Sequence, residues 1–160
     1  MTTHGQRPYH RARAGCVSGI EPLFAISYIR SILEGAQLLE VNPLFEDVAR
    51  ASGFYSRELM MEIAKRGSVR GMAQVPEDVQ RVFVTALDIA PEWHVRMQAA
   101  FQKYTENAVS KTVNLPQNAT LEDVRDAYLM AHRLRCKGTT VYRYGSKPQV
   151  LYIGSVDKEA

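Results

Sequence analysis

The chain has 160 residues, 46% of them apolar and 23% charged, which suits one folded domain, or a piece of a larger one, with a buried core. No run of ~18 apolar residues is present to span a membrane, and the N-terminus lacks the apolar centre of an export signal, so the expected location is cytoplasmic. The net charge of +3 is uneven: Arg7, Arg11 and Arg13 lie in the first fourteen residues, which carry no acid, and without them 17 basic residues face 17 acidic ones. Such an arm can contact phosphates, but its first reading is a soluble terminus.

Residues 1–14 are therefore read as an irregular basic arm, residues 15–154 as the folded region and residues 155–160 as a tail. Gly15 to Pro22 is a loop of small residues. Leu23–Leu33 and Gln37–Val41 are rich in β-branched and aromatic residues around Gly35, and the alternation Phe24, Ile26, Tyr28 predicts a β-hairpin. Asn42-Pro43 opens a helix, with Asn as cap and Pro at the first helical position; Gly53 ends it. Ser56 caps a second helix that Gly67 stops, with Leu59, Met60, Ile63 and Ala64 as its apolar stripe. Pro76-Glu-Asp78 starts a short third helix, its acids at the positive end of the dipole; Val82–Ile89 extends that helix or forms a strand.

Pro91-Glu92 opens a stronger helix on which Trp93, Met97, Ala100, Phe101 and Tyr104 make a broad apolar face. Val109–Leu115 reads as a strand ended by Pro116. Thr120 to Asp123 is a capping-box pattern, which also explains Thr120 better than the glycosylation match at Asn118 does. Leu121, Val124, Tyr128, Ala131 and Leu134 follow at helical spacing, and Gly138 is expected to release the chain into a strand at Thr139–Tyr142. Strand, helix and strand over 109–142 predict a βαβ-like unit, since parallel strands need a crossover. Val150–Ile153 is a possible last edge strand.

The chemistry-bearing residues are sparse. His4, His10, His94 and His132 form no ligand-spaced pair, so no metal site is expected and each histidine reads as packed or solvated. Cys16 and Cys136 belong to no Cys-x-x-Cys pair; Cys136, at a helix end, reads as a small buried thiol. Gly15-Cys-Val-Ser-Gly19 is the one stretch whose backbone amides suit a phosphate or a substrate edge.

Several motifs in this order resemble the C-terminal part of a ribonucleotide reductase large chain, most closely the adenosylcobalamin-dependent class. They are Ser18-Gly-Ile-Glu-Pro22, Ala86-Leu-Asp88, His94-Val95 with Met97-Gln-Ala99, Val109-Ser-Lys-Thr-Val-Asn-Leu-Pro116 and Lys137-Gly-Thr-Thr-Val-Tyr-Arg143. The resemblance spans about Gly15 to Gly154. It implies an α/β fold, the C-terminal portion of a ten-stranded α/β barrel. It further implies a role in reducing the ribose 2′-position of ribonucleotides by thiyl-radical chemistry, with adenosylcobalamin as the cofactor of the complete enzyme.

The departures are as informative as the matches. The family's radical cysteine lies in an Asn-Pro-Cys-Gly-Glu segment; Asn42-Pro-Leu-Phe-Glu46 is only a superficial likeness, with Leu44 in the cysteine place. The redox cysteine pair lies upstream in the family, and the C-terminal Cys-x-x-Cys is absent here. The family's Ala-Pro-Thr-Gly-Ser-like phosphate loop is replaced by Arg7-Pro-Tyr-His-Arg-Ala-Arg-Ala14. The tyrosine pair of the oxygen-dependent class is likewise missing, since Val141 precedes Tyr142.

No catalytic residue is therefore expected, and the substrate contacts implied by the resemblance are Ser18, Gly19, Ile20 and Glu21. The implied partners are a ribonucleotide and the missing catalytic half of the reductase. The alternative is a non-catalytic binding or regulatory module derived from the same barrel. Either way, barrel edges and apolar flanks are expected to be bare.

Overall fold

A computed structural model describes residues 19–31, 37–146 and 151–152. The basic arm, Cys16, Ser18, the hairpin turn with Gly35, and the tail lie outside the described residues. The described residues fall into two compact units, the first holding 22–31, 37–88 and 151–152, the second 19–21 and 89–146.

In the first unit, β1 (Ser27–Ser31) pairs antiparallel with β2 (Gln37–Val41), and β5 (Leu151–Tyr152) adds to the other edge of β1, giving the order β2-β1-β5. The hairpin and the final edge strand are as expected, but the inner face is not. Ser27 and Ile29 are buried, while Tyr28 and Arg30 turn to the other side and meet Glu40. The register puts Tyr28 opposite Glu40, and side chains alternate along a strand, so Ser27 and Ile29 face the core.

Helix α1 (Pro43–Ala51) begins as predicted: Asn42 accepts from the Phe45 amide, and Pro43 takes the first position. Helix α2 (Arg57–Arg66) is capped by Ser56 and closed by Gly67, whose φ of +76° is the left-handed geometry that glycine adopts without strain. Phe45 and Ala49 of α1 join Met60 and Ile63 of α2, Val69, Met72 and Val75 in one core. Phe45 meets Phe54 and Phe83 edge-on. Helix α3 (Glu77–Val82) stops at Phe83. The run 83–89 is then neither helix nor strand but a turn that Asp88 organises by accepting from the Ser68 hydroxyl and from the Thr85 amide and hydroxyl.

In the second unit, α4 (Pro91–Gln102) and α5 (Leu121–Arg133) pack with a two-stranded parallel sheet, β3 (Thr112–Leu115) beside β4 (Thr140–Arg143). The βαβ unit is thus present. Val113 and Leu115 fill a core with Val95, Ala127 and Ala131. The Thr120–Asp123 capping box forms in full. Arg135, not Gly138, releases the chain: it takes a φ of +60°, and the Cys136 amide bonds back to the Ala131 carbonyl.

The main surprise lies on α4. The apolar face read from the sequence is exposed: Trp93 at 61%, Met97 at 48%, Phe101 at 50% and Tyr104 at 91%. The helix buries instead His94, Val95, Gln98, Ala99 and Gln102. Among the described residues, a parallel pair of strands without further neighbours and a bare apolar helix face suit part of a larger sheet better than a finished one, because parallel sheets are ordinarily covered on both faces.

Candidate functional site

The second unit carries a buried polar row on one face of α4. His94, Gln98 and Gln102 succeed each other at intervals of four, one helical turn apart. Gln102 donates from Nε2 to the Thr105 and Asn107 carbonyls, and its Oε1 accepts from the Val109 and Lys137 amides. Gln98 donates to the carbonyls of Val109 (2.8 Å) and Gly138 (2.6 Å), so one side chain ties the approach to β3 to the approach to β4. Among the described residues its Oε1, also buried, finds no hydrogen-bond partner.

His94 ends the row at Lys111. The Lys111 Nζ lies 2.8 Å from His94 Nδ1, 2.8 Å from Glu21 Oε2 and 2.6 Å from the Thr112 carbonyl. Its side chain is only 1% exposed. Three acceptors thus surround the three donors of an ammonium group, which requires His94 to accept at Nδ1 while the lysine is charged. Burial pulls the Lys111 ammonium below the ordinary lysine range, against the opposing pull of Glu21.

Glu21 uses both carboxylate oxygens: Oε2 accepts from Lys111, and Oε1 accepts from the Thr112 amide at 2.7 Å. The clamp therefore fixes the turn at Gly19 and Ile20 to the start of β3. Gly19 has a φ of +58°, and nothing lies within 4 Å of where a Cβ would stand.

Of the residues expected to touch substrate, Ser18 lies outside the described residues. Gly19 is exposed, Ile20 is half-buried, and Glu21 points its carboxylate inward. Lys111 and His94 were not expected to belong to this site. The signal for Lys111 was its place in the alternation Val109, Lys111, Val113, Leu115, which sets a lysine on the inward side of a strand.

Other candidates resolve into structural roles. Asn42 and Glu46 cap and brace α1, with Glu46 pairing to Arg50, and Leu44 is exposed. Cys136 is a half-buried free thiol that burial pushes up. Among the described residues no three His, Cys, Asp or Glu side chains gather to hold a metal, and no helix is long and apolar enough to cross a membrane.

Residues 12–142 match the family model described as the ribonucleotide reductase barrel domain. The chain belongs to the ribonucleotide reductase barrel-domain family. A vitamin B12-dependent ribonucleoside-diphosphate reductase of Mycobacterium tuberculosis is 57% identical over 134 residues, covering 84% of this chain and 19% of that protein. Its counterpart in Thermoplasma acidophilum is 51% identical over 145 residues, covering 90% and 19%. A vitamin B12-dependent ribonucleotide reductase of Streptomyces coelicolor is 32% identical over 136 residues, covering 81% and 14%. The chain thus spans about a fifth of the length of the first two relatives.

A solved class Id ribonucleotide reductase alpha subunit from Actinobacillus ureae is 20% identical, with a TM-score of 0.61 over 79% of this chain and 23% of that one. That likeness shows the reductase fold and nothing finer.

The described residues do not fit a cobalamin. The His94 ring is buried against Lys111, and His132 stands exposed on α5. An open hollow of about 370 Å³ lined by Arg57, Glu58, Met61, Glu62 and Lys65 is a charged helix surface, not an apolar bed for a corrin ring.

Proposed function

We propose that this chain is the C-terminal barrel segment of an adenosylcobalamin-dependent ribonucleotide reductase and lends the Gly19–Glu21 turn to the ribonucleotide face of the complete barrel. In the reaction the ribose 2′-hydroxyl leaves as water while a dithiol is oxidised to a disulfide. The radical and redox cysteines, and the cofactor, belong to the remainder of the barrel. The observation that carries this reading is the inward clamp of Glu21, which holds a turn with an exposed glycine in a chain that matches vitamin B12-dependent reductases at 51–57% identity.

The test is complementation. The Mycobacterium tuberculosis reductase, deleted for its matching segment, is mixed with this chain, adenosylcobalamin, cytidine diphosphate and a dithiol. Formation of deoxycytidine diphosphate above either part alone is the expected result; none, with no complex on a sizing column, defeats the proposal.

The bare face of α4 also favours a second reading, a non-catalytic module that binds a partner through Trp93, Met97 and Phe101. A complex in the same mixture with no turnover would select it.

A further inference from the structure

We infer that Lys111 is a positioning residue for the substrate turn: its buried ammonium holds the Glu21 carboxylate inward, so that the Gly19–Ile20 backbone is presented outward to the phosphate end of a ribonucleotide. This rests on the reading that the turn meets substrate. The geometry is specific to the task. Glu21 is 90 positions from Lys111 in sequence, and it bonds both the ammonium and the Thr112 amide. Lys111 in turn is held by His94 and the Thr112 carbonyl, and the row His94, Gln98, Gln102 anchors α4 to the loop that leads into β3. A carboxylate facing outward beside Gly19 would repel a phosphate; Lys111 neutralises it and keeps it turned away. The exposed Gly19 is then left as the part of the turn that a phosphate meets.

The experiment uses the full chain, wild type and with K111M, E21Q and both. Amide hydrogen exchange is followed at Thr112, whose amide bonds the Glu21 carboxylate, with Val113 and Leu115 of the same strand as references. The clamp requires each single variant to speed exchange at the Thr112 amide on the order of tenfold or more relative to the references, and the double variant to add little to either. Unchanged protection in E21Q, or equal acceleration along the whole strand, overturns the clamp, and E21Q decides alone if K111M does not fold.

Cytidine diphosphate is then titrated into the wild-type chain and E21Q, reading the Gly19 and Ile20 amide shifts. Shifts in the wild type that weaken about tenfold in affinity in E21Q support the positioning role. No shift in the wild type refutes the substrate reading of the turn, a failure separate from that of the clamp.

Discussion

Glu21 and Lys111 meet at 2.8 Å in the interior of the second unit, and the Thr112 amide bonds the other oxygen of the same carboxylate. A lysine only 1% exposed survives there because every proton has an acceptor. Removing one partner of such a pair leaves the other uncompensated. Since Glu21 is 29% exposed and can recruit water, K111M is expected to destabilise the unit by about 2–3 kcal/mol, less than a fully buried pair would lose. Urea unfolding followed by the fluorescence of Trp93, the only tryptophan, checks this; a loss under about 0.5 kcal/mol contradicts it.

Gln98 offers a sharper case. Its amide group satisfies two backbone carbonyls, of Val109 and Gly138, forty residues apart from Gln98 in the second instance. Q98M keeps the volume and abandons both carbonyls, so a loss of about 2–4 kcal/mol is expected from two unmet acceptors. Differential scanning calorimetry is the measurement, and a melting temperature equal to that of the wild type would refute the account.

The two faces of α4 should respond oppositely. F101K replaces an exposed ring and is expected to stay within about 0.5 kcal/mol of the wild type while reducing binding of a hydrophobic dye. V95A, on the buried face against Val113 and Leu115, should cost about 2 kcal/mol in lost methyl burial and cavity. Equal losses for both would show that the face is covered within the chain.

Tyr28 gives the first unit a pH dependence. Burial, then the bond it donates to Glu40, pushes its phenol up to about 12 from an ordinary 10.0. A folded-state value above the unfolded one means that the folded chain keeps the proton longer. The stabilisation is therefore fully present below pH 10 and is lost as the pH rises from 10 to 12. Absorbance titration of the eight tyrosines should reveal one that ionises near 12, and E40Q should lower it. A curve with every tyrosine near 10 would count against the Tyr28–Glu40 contact.

Arg135 sits at a φ of +60°, where a side chain crowds its own backbone. R135G is expected to stabilise α5 by up to about 1 kcal/mol, seen as a higher urea midpoint. A lower midpoint would mean that the arginine side chain compensates for its strain.

What the sequence determined by itself is local. Asn42-Pro43, Ser56, Gly67 and Thr120 with Asp123 bound their helices as read, because caps and turns act within three or four residues. The hairpin and the parallel βαβ unit followed from alternation and spacing, and the order of the motifs pointed to the reductase barrel that the family match then showed. The stripe of α2 at Leu59, Met60, Ile63 and Ala64 was legible too, but tertiary structure alone decided which face α4 buries. Apolar spacing identified a stripe on α4 at Trp93, Met97 and Phe101, yet the unit packs around His94, Gln98 and Gln102, polar side chains that are buried because each finds partners far along the chain. Apolar periodicity registers greasy residues wherever they will be covered, within this chain or by another. Hydrogen bonds between residues forty or ninety positions apart leave no periodic trace, so the clamp on Glu21 appeared only when the fold brought Lys111 to it.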